Sequence, residues 1–520
     1  MNALLLTWLL VVPQAAPDTV VVCPDEFRAA LAPWLAYRTQ QGHAIVVISN
    51  TPSTEEIRNQ IREIAKQGPL HYVVLAGDAD PAMYNDPAAR NRCVPTYYAP
   101  AKVNVSWGSE PHIATDNYYA DLDDDQLPEL AIGRLSASTP AELGTIIDKT
   151  IAYERSTDFG PWRRQLSLVA GLGGFGMLTD MVVESTARYF ITQGLPESYR
   201  LAMAYASWRS PYCPDPRQFH DTTVESLNEG AWLWVYIGHG NHLGLDQVHV
   251  PGGDYPILTA DDVPQLHCRH GAPVALFLSC YAGAFDAAED CLAERMLRSP
   301  GGPVAVLAGS RVTMPYGMAV MANELMKQCF RQHAMTLGDV ILQAKRSMVK
   351  DAPLDDMRRV TLDSLAAVFA PAPGQLAAER AEHVLLFNLM GDPLLQLRYP
   401  LQVDLAVGDG TPGEPLSVAG VSPVDGHCMV ELMVPRGTLT FHAPSRGEYP
   451  RDDTALKQFQ EVYQRANDCR LTVTETVVNG GRLQADLNVP KEAHGRCFVR
   501  VFVAGETDCA AGVTAIEIHE

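Results

Sequence analysis

Basic residues are scarce in this sequence: 40 Lys and Arg stand against 61 Asp and Glu, a formal charge of −21. Such a surface repels phosphate backbones and anionic lipid headgroups, which argues against nucleic acid as a partner and selects no other class. Long apolar runs are scarce as well. The strongest, Ala3–Val12, is broken by Thr7 and is too short for a bilayer, so no integral membrane span is expected. With Pro13 and the small pair Ala15-Ala16 behind it, the run reads as the apolar centre of a signal peptide over residues 1–16. That implies a secreted or extracytoplasmic protein, although no Lys or Arg precedes the run and Pro17 follows the cleavage point. A buried first strand or helix is the alternative. Low-complexity tracts and internal repeats are absent, and 47% hydrophobic against 19% charged residues is the balance of a folded globular chain. Cysteine is too sparse for a disulfide framework: eleven in 520 residues, an odd number that leaves one thiol unpaired unless two chains are joined. Cys428, Cys469, Cys497 and Cys509, close together in one region, are the candidates for pairing in an oxidising compartment.

A chain of this length exceeds one ordinary core, and its patterns divide it. Over 17–155 apolar strands at 19–23, 43–48 and 71–76 alternate with helices at 24–41 and 54–67, the latter opened by Ser53 or Thr54 with Glu56. After a helix at 140–155, a second α/β subdomain over 156–398 carries strands at 165–170, 201–206, 231–237, 274–279 and 304–308. Its helices are expected at 179–193, 286–298, 318–331 and 337–348. A Pro-, Gly- and Asp-rich stretch near 398–415 marks a linker. Over 401–520 short alternating segments predict a β-sandwich, with a helical insertion at 453–466.

Two strands of the second subdomain end in reactive residues. Ala231-Trp-Leu-Trp-Val-Tyr-Ile leads to Gly238-His239-Gly240, and Pro273-Val-Ala-Leu-Phe-Leu leads to Ser279-Cys280. Buried parallel strands present ligands and catalytic groups at their carboxyl ends. A thiol needs a nearby base to be a nucleophile at neutral pH, and imidazole has a suitable pKa. The flanking glycines let a substrate backbone approach and leave amide N–H groups to face an oxyanion. Singly, such a Cys or His is core; together, at equivalent strand ends, they point to a Cys–His dyad.

The order of these motifs resembles the caspase-related cysteine peptidases, and within them the gingipain family, over residues 19–398. The resemblance includes Ala114-Thr-Asp-Asn-Tyr-Tyr-Ala-Asp-Leu-Asp123, Ala131-Ile-Gly-Arg-Leu135, Asp148-Lys-Thr-Ile-Ala-Tyr-Glu154 and Asn388-Leu-Met-Gly-Asp-Pro-Leu394. It implies an α/β fold: a caspase-like two-part catalytic domain of mainly parallel sheets with flanking helices, then an immunoglobulin-like β-sandwich. It also implies an endopeptidase acting on protein or peptide substrates through a thioester acyl-enzyme, with no cofactor for the chemistry. His239 is then the general acid/base, Cys280 the nucleophile, and the N–H groups of Gly240 and Cys280 the oxyanion donors. The family's acid after the strand at 165–170 corresponds here to Leu172, so no third member is assigned. A degenerate scaffold serving as a binding or adhesion module is the alternative. Gingipains favour Arg or Lys before the scissile bond; Asp180 and Tyr316 are the pocket candidates, while Arg311 and Met314 do not obviously welcome a cation.

Three other motifs compete for attention. Gly171-Leu-Gly173-Gly-Phe-Gly176 satisfies GxGxxG, but the following strand ends in Ser207-Trp208 rather than in the acid a dinucleotide ribose requires. His239, His242, His249, His267, Cys268 and His270 fit no closed zinc pattern. Asp121, Asp123, Asp125 and Glu129 alternate like the start of a calcium loop without its turn glycine. Since gingipains bind calcium, the resemblance makes a structural Ca²⁺ an expectation there.

Overall fold

The computed structural model describes residues 16–172, 194–353, 356–370, 372–450 and 452–519. A central sheet takes ten strands in chain order: β1 (Thr19–Val22), β2 (Ile45–Ile48), β3 (Tyr72–Ala76), β4 (Ala131–Leu135), β5 (Gln165–Ala170), β6 (Arg200–Tyr205), β7 (Leu233–Ile237), β8 (Val274–Leu278), β9 (Ala305–Gly309) and β10 (Phe387–Met390). Their lateral order is β2-β1-β3-β4-β10-β9-β8-β7-β5-β6. Strands β1 to β4 pair in parallel, and so do β5 to β9. Strand β10 is antiparallel to β9 and parallel to β4, and it seams the two parallel blocks into one sheet.

The apolar runs explain the burial. In β7, Leu233, Val235 and Ile237 join the core on one face, while Trp234 and Tyr236 join the core on the other. Strand β8 divides its residues the same way. Both faces must therefore be covered, as parallel sheets require. Helices Arg28–Gln40 and Pro140–Arg155 pack together, as do Pro315–Lys327 and Leu337–Met348. Capping boxes open Thr54–Ala65 at Ser53 and Pro140–Arg155 at Thr139. No helix among the described residues is long and apolar enough to cross a membrane.

From Leu401 onward the chain forms two packed sheets of five and three strands. Their inner residues, among them Val418, Leu483, Val430 and Val501, make a separate core. The inserted helix Asp453–Ala466 leaves this sandwich and sends Leu456 and Phe459 into the core of the central sheet.

Three expectations need correction. The helix expected at 286–298 forms only as Leu292–Arg298, because Asp286 is engaged by Arg311 and Glu294 accepts the Cys291 N–H to start the helix there. The helix expected at 318–331 starts at Pro315, with proline in its first turn, and ends in a π-turn over Gln328–Gln332. The cysteines marked for pairing stand as free thiols. Cys428 pairs in register with Val503, so Cys497 lies six residues further along that strand, about 20 Å away. The helix expected at 179–193 lies outside the described residues, as do residues 1–15 of the signal peptide expected over 1–16.

Candidate active site

Strands β7 and β8 are neighbours in parallel register, ending with Ile237 opposite Leu278. Two residues beyond that pair stand His239 and Cys280, equivalent positions on strands about 4.8 Å apart. The Gly238 N–H donates to Leu278 O at 3.2 Å and carries the ladder one step past the strand ends. Gly238 has φ +155°, and a Cβ there would meet the Tyr236 hydroxyl at 2.6 Å, so only glycine fits. Gly240 presses on the other segment: a Cβ would lie 2.9 Å from Ser279 Oγ and 3.0 Å from Cys280 O. The small residues around both reactive side chains are thus what lets the two segments meet.

Cys280 is held from the segment that follows a third strand, β9. The Thr313 N–H donates to Cys280 Sγ at 3.4 Å, and Thr313 Oγ1 lies 3.7 Å from the sulfur. Burial pushes the Cys280 thiol up, and the Thr313 contacts partly pull it back. Tyr281, next in the chain, has φ +58°, and Ala282 N–H reaches back to Cys280 O at 2.8 Å. This strained tight turn, costing on the order of 1–3 kcal/mol, is over-determined by its surroundings. The Tyr281 N–H donates to Arg311 O, Gly283 N–H to Gly309 O, and the Tyr281 hydroxyl to Glu110 at 2.8 Å.

The wall behind Thr313 is pinned from below. Met314 N–H donates to His383 Nε2 at 3.0 Å, and the opposite nitrogen, Nδ1, donates to Glu379 O at 2.8 Å. Burial pushes His383 down to about 4, so it is the neutral ring this geometry requires. Tyr316 is 5% exposed; its hydroxyl donates to Asp363 and accepts from Arg380, both at 2.8 Å. Arg311 forms a bidentate pair with Asp286, at 2.7 and 2.5 Å, and lies 3.5 Å from Glu110. Asp180 lies outside the described residues. Thr313 and His383 went unremarked in the sequence. Nothing local distinguishes a Thr after an apolar strand, and a His on an amphipathic helix reads as core.

In the acidic loop, Asp121, Asp123 and Glu129 converge, with Asp125 outside the group. Asp125 instead accepts the Leu127 N–H. Arg58 pairs with Asp121 and Asp124, Arg62 with Asp124, and Arg346 with Glu129.

A parallel-sheet strand end carrying His beside one carrying Cys invites comparison with known peptidases. Residues 12–398 match the family model described as Peptidase family C25. The chain belongs to that family. Within C25 relatives, Lys-gingipain of Porphyromonas gingivalis is 25% identical over 290 residues, 54% of this chain and 15% of its own length. Gingipain R2 of the same species is 24% identical over 309 residues, 56% of this chain and 36% of its own length. This C25 chain therefore spans well under half the length of these relatives. The crystal structure of the Arg-specific cysteine proteinase gingipain R superposes with a TM-score of 0.54 at 16% identity, over 97% of this chain and 98% of that one. The C25 chain shares that fold, a large mainly parallel sheet flanked by helices with a β-rich domain after it.

Proposed function

We propose that this chain is a secreted cysteine endopeptidase working through a His239–Cys280 dyad. The observation that carries the reading is the register of β7 and β8, which sets the two residues at matching strand ends with Gly240 against Cys280. His239 takes the thiol proton as Sγ attacks the scissile carbonyl carbon. The oxyanion forms against the N–H groups of Gly240 and Cys280. The C–N bond breaks as His239 gives its proton to the departing amine, leaving a thioester. Water then attacks the thioester, His239 takes its proton, and the thiol is restored as the acid product leaves.

Two relatives are named for Lys and Arg, and cleavage after a basic residue is the specificity we propose here. Asp286 neutralises Arg311, which removes the nearby charge that would oppose a basic side chain. Asp180 is the candidate pocket acid, and Tyr316 enters as the anchor of the helix behind Thr313. Residues 1–16 act in this reading as a signal peptide. A structural Ca²⁺ belongs to it too. Asp121, Asp123 and Glu129 bring three carboxylates together, with Arg58 paired to Asp121 and Arg346 to Glu129. Asp121, Asp123 and Glu129 would hold it, and it would serve stability alone.

A peptide-library digest with purified protein and its Cys280→Ala variant tests the reading. Cleavage after Arg or Lys by the parent, and none by the variant, is expected. Hydrolysis surviving in Cys280→Ala removes the nucleophile assignment. Cleavage only after acidic or large apolar residues removes the basic pocket and leaves the cysteine mechanism.

A further inference from the structure

Beyond the dyad, the hairpin that follows His239 supplies an acid. Gly240 pairs antiparallel with Leu245, and Asn241 with Gly244. The next position outward in this register sets His239 opposite Asp246. Facing positions of an antiparallel hairpin share a side, and His239 and Asp246 face each other one step past the last paired residues, Gly240 and Leu245. The Tyr236 hydroxyl takes the place of the next ladder bond: it donates to His239 O at 2.7 Å and accepts the Asp246 N–H at 3.4 Å. Burial, and then the Asp246 charge, push the Tyr236 phenol well up, so it stays a neutral donor. On its other side Asp246 O accepts the Ile257 N–H at 3.0 Å, which fixes the backbone from both edges. The carboxylate itself lies over the end of β5: Asp246 Oδ2 is 3.5 Å from the point a Cβ on Gly171 would occupy. Leu172, where gingipains carry their acid, is the next residue. His239, Gly240, Leu245 and Asp246 line one cavity.

We propose that Asp246 is the positioning residue for His239, orienting the imidazole and stabilising the imidazolium that forms when Cys280 gives up its proton. The inference rests on the His239–Cys280 reading above. It replaces the acid lost at Leu172 by one reached across the hairpin rather than along β5. Such hydrogen bonds are commonly long in a resting enzyme and tighten when substrate is bound. The titratable groups around this strand end include Cys280, Tyr281, Tyr236 and Asp246, with His242 at the hairpin turn 4.0 Å from Glu289, which belongs to the segment after β8.

The test has two arms. In Cys280→Ala protein labelled at histidine Cε1, the His239 resonance, assigned by its loss in His239→Gln, is titrated by NMR. Replacing Asp246→Asn should lower the His239 pKa by about one unit, and Asp246→Glu should leave it in place. An unchanged pKa in Asp246→Asn overturns the inference. In the Cys280 enzyme, Asp246→Asn should cut kcat roughly 100-fold with KM nearly constant, and Asp246→Glu should restore part of it. A fall confined to KM, or no fall, also overturns it. If the parent hydrolyses no peptide, the peptidase reading fails while the titration still decides Asp246. If the Asn variant does not fold, Asp246→Ser takes its place.

Discussion

At one strand end Cys280 has its sulfur held by the Thr313 N–H and its thiol pushed up by burial, with His239 at the matching end of the next strand; the proposed dyad needs all three. Gly240 is the residue whose size decides whether that neighbour can come close. In Gly240→Ala the new methyl would lie 2.9–3.0 Å from Ser279 Oγ and Cys280 O, nearer than packed atoms tolerate, so the His239 segment must retreat. We expect kcat/KM to drop about 100-fold, since misplacement on the order of 1 Å costs that much, with circular dichroism unchanged. Parent-like kinetics in this variant would show that the close approach is not used. At this scale His239 and Cys280 stand out in the sequence because each closes a continuous apolar run, and the register of β7 and β8 brings them to matching strand ends. Thr313, 33 residues beyond Cys280, does not, because its role exists only once β9 lies beside β8. Asp246 became legible only with the register of a hairpin whose strands are two residues each.

The elements that position the site follow from simple rules, and those the sequence hid break them. Strands β5, β7 and β8 read directly as apolar runs bounded by glycine or polar residues. Strand β10 did not: Phe387–Met390 follows the helix Leu376–Leu386 with no intervening turn, and periodicity cannot part a short apolar strand from the helix before it. Asp286–Asp290 looked helical, yet the Asp286–Arg311 pair draws its first residue away. The loop over 121–129 is an element of a different kind, ordered by its own carboxylates and three arginines. Asp121 alone accepts the N–H groups of Asp124 and Gln126. If Ca²⁺ completes it, excess chelator should lower Tm by several degrees, and kcat measured well below that Tm should not change, because an ion bound only to the folded state stabilises it by mass action. An unchanged Tm, with no calcium found by elemental analysis, would dispose of the ion.

Across the whole molecule, the sandwich and the central sheet are joined by groups that sequence reading assigns to the surface. Strand β6 is a sheet edge, a place open to unwanted pairing. Asn467, just past the inserted helix, covers it by accepting the Met203 N–H at 2.7 Å and donating to Met203 O at 3.0 Å. Arg436 and Arg446 donate to backbone carbonyls of Leu195, Pro196, Tyr199, Trp208 and Cys213. Deepest is Glu431, fully buried between Arg164 at 3.1 Å and Arg500 at 2.7 Å. The sandwich itself was legible from strand alternation; this docking was not, since Arg and Glu give no sign in sequence of being buried. Burial alone would raise the Glu431 carboxyl, but Arg164 and Arg500 outweigh it and hold it at about 2, below the ordinary 4.5. The unfolded chain binds this proton first, so the contribution is full above pH 4.5 and is lost as pH falls toward 2. Glu431→Gln leaves two buried guanidiniums short of a counter-charge. It should cost about 3–5 kcal/mol at pH 7, read from denaturant melts. Its stability should also fall less steeply than the parent's between pH 4.5 and 2. Equal slopes would show that Glu431 is not the group titrating.

The proposed function turns on one thiol made reactive by one imidazole. The direct measurement is the rate and position of covalent labelling by a thiol-directed peptidyl inhibitor, read by intact mass and peptide mapping. One adduct at Cys280 is expected in the parent, formed at least about 100-fold more slowly in His239→Ala and absent in Cys280→Ala. Labelling that moves to Cys268 or Cys469, each half-buried like Cys280, or a rate untouched by His239→Ala, would contradict it.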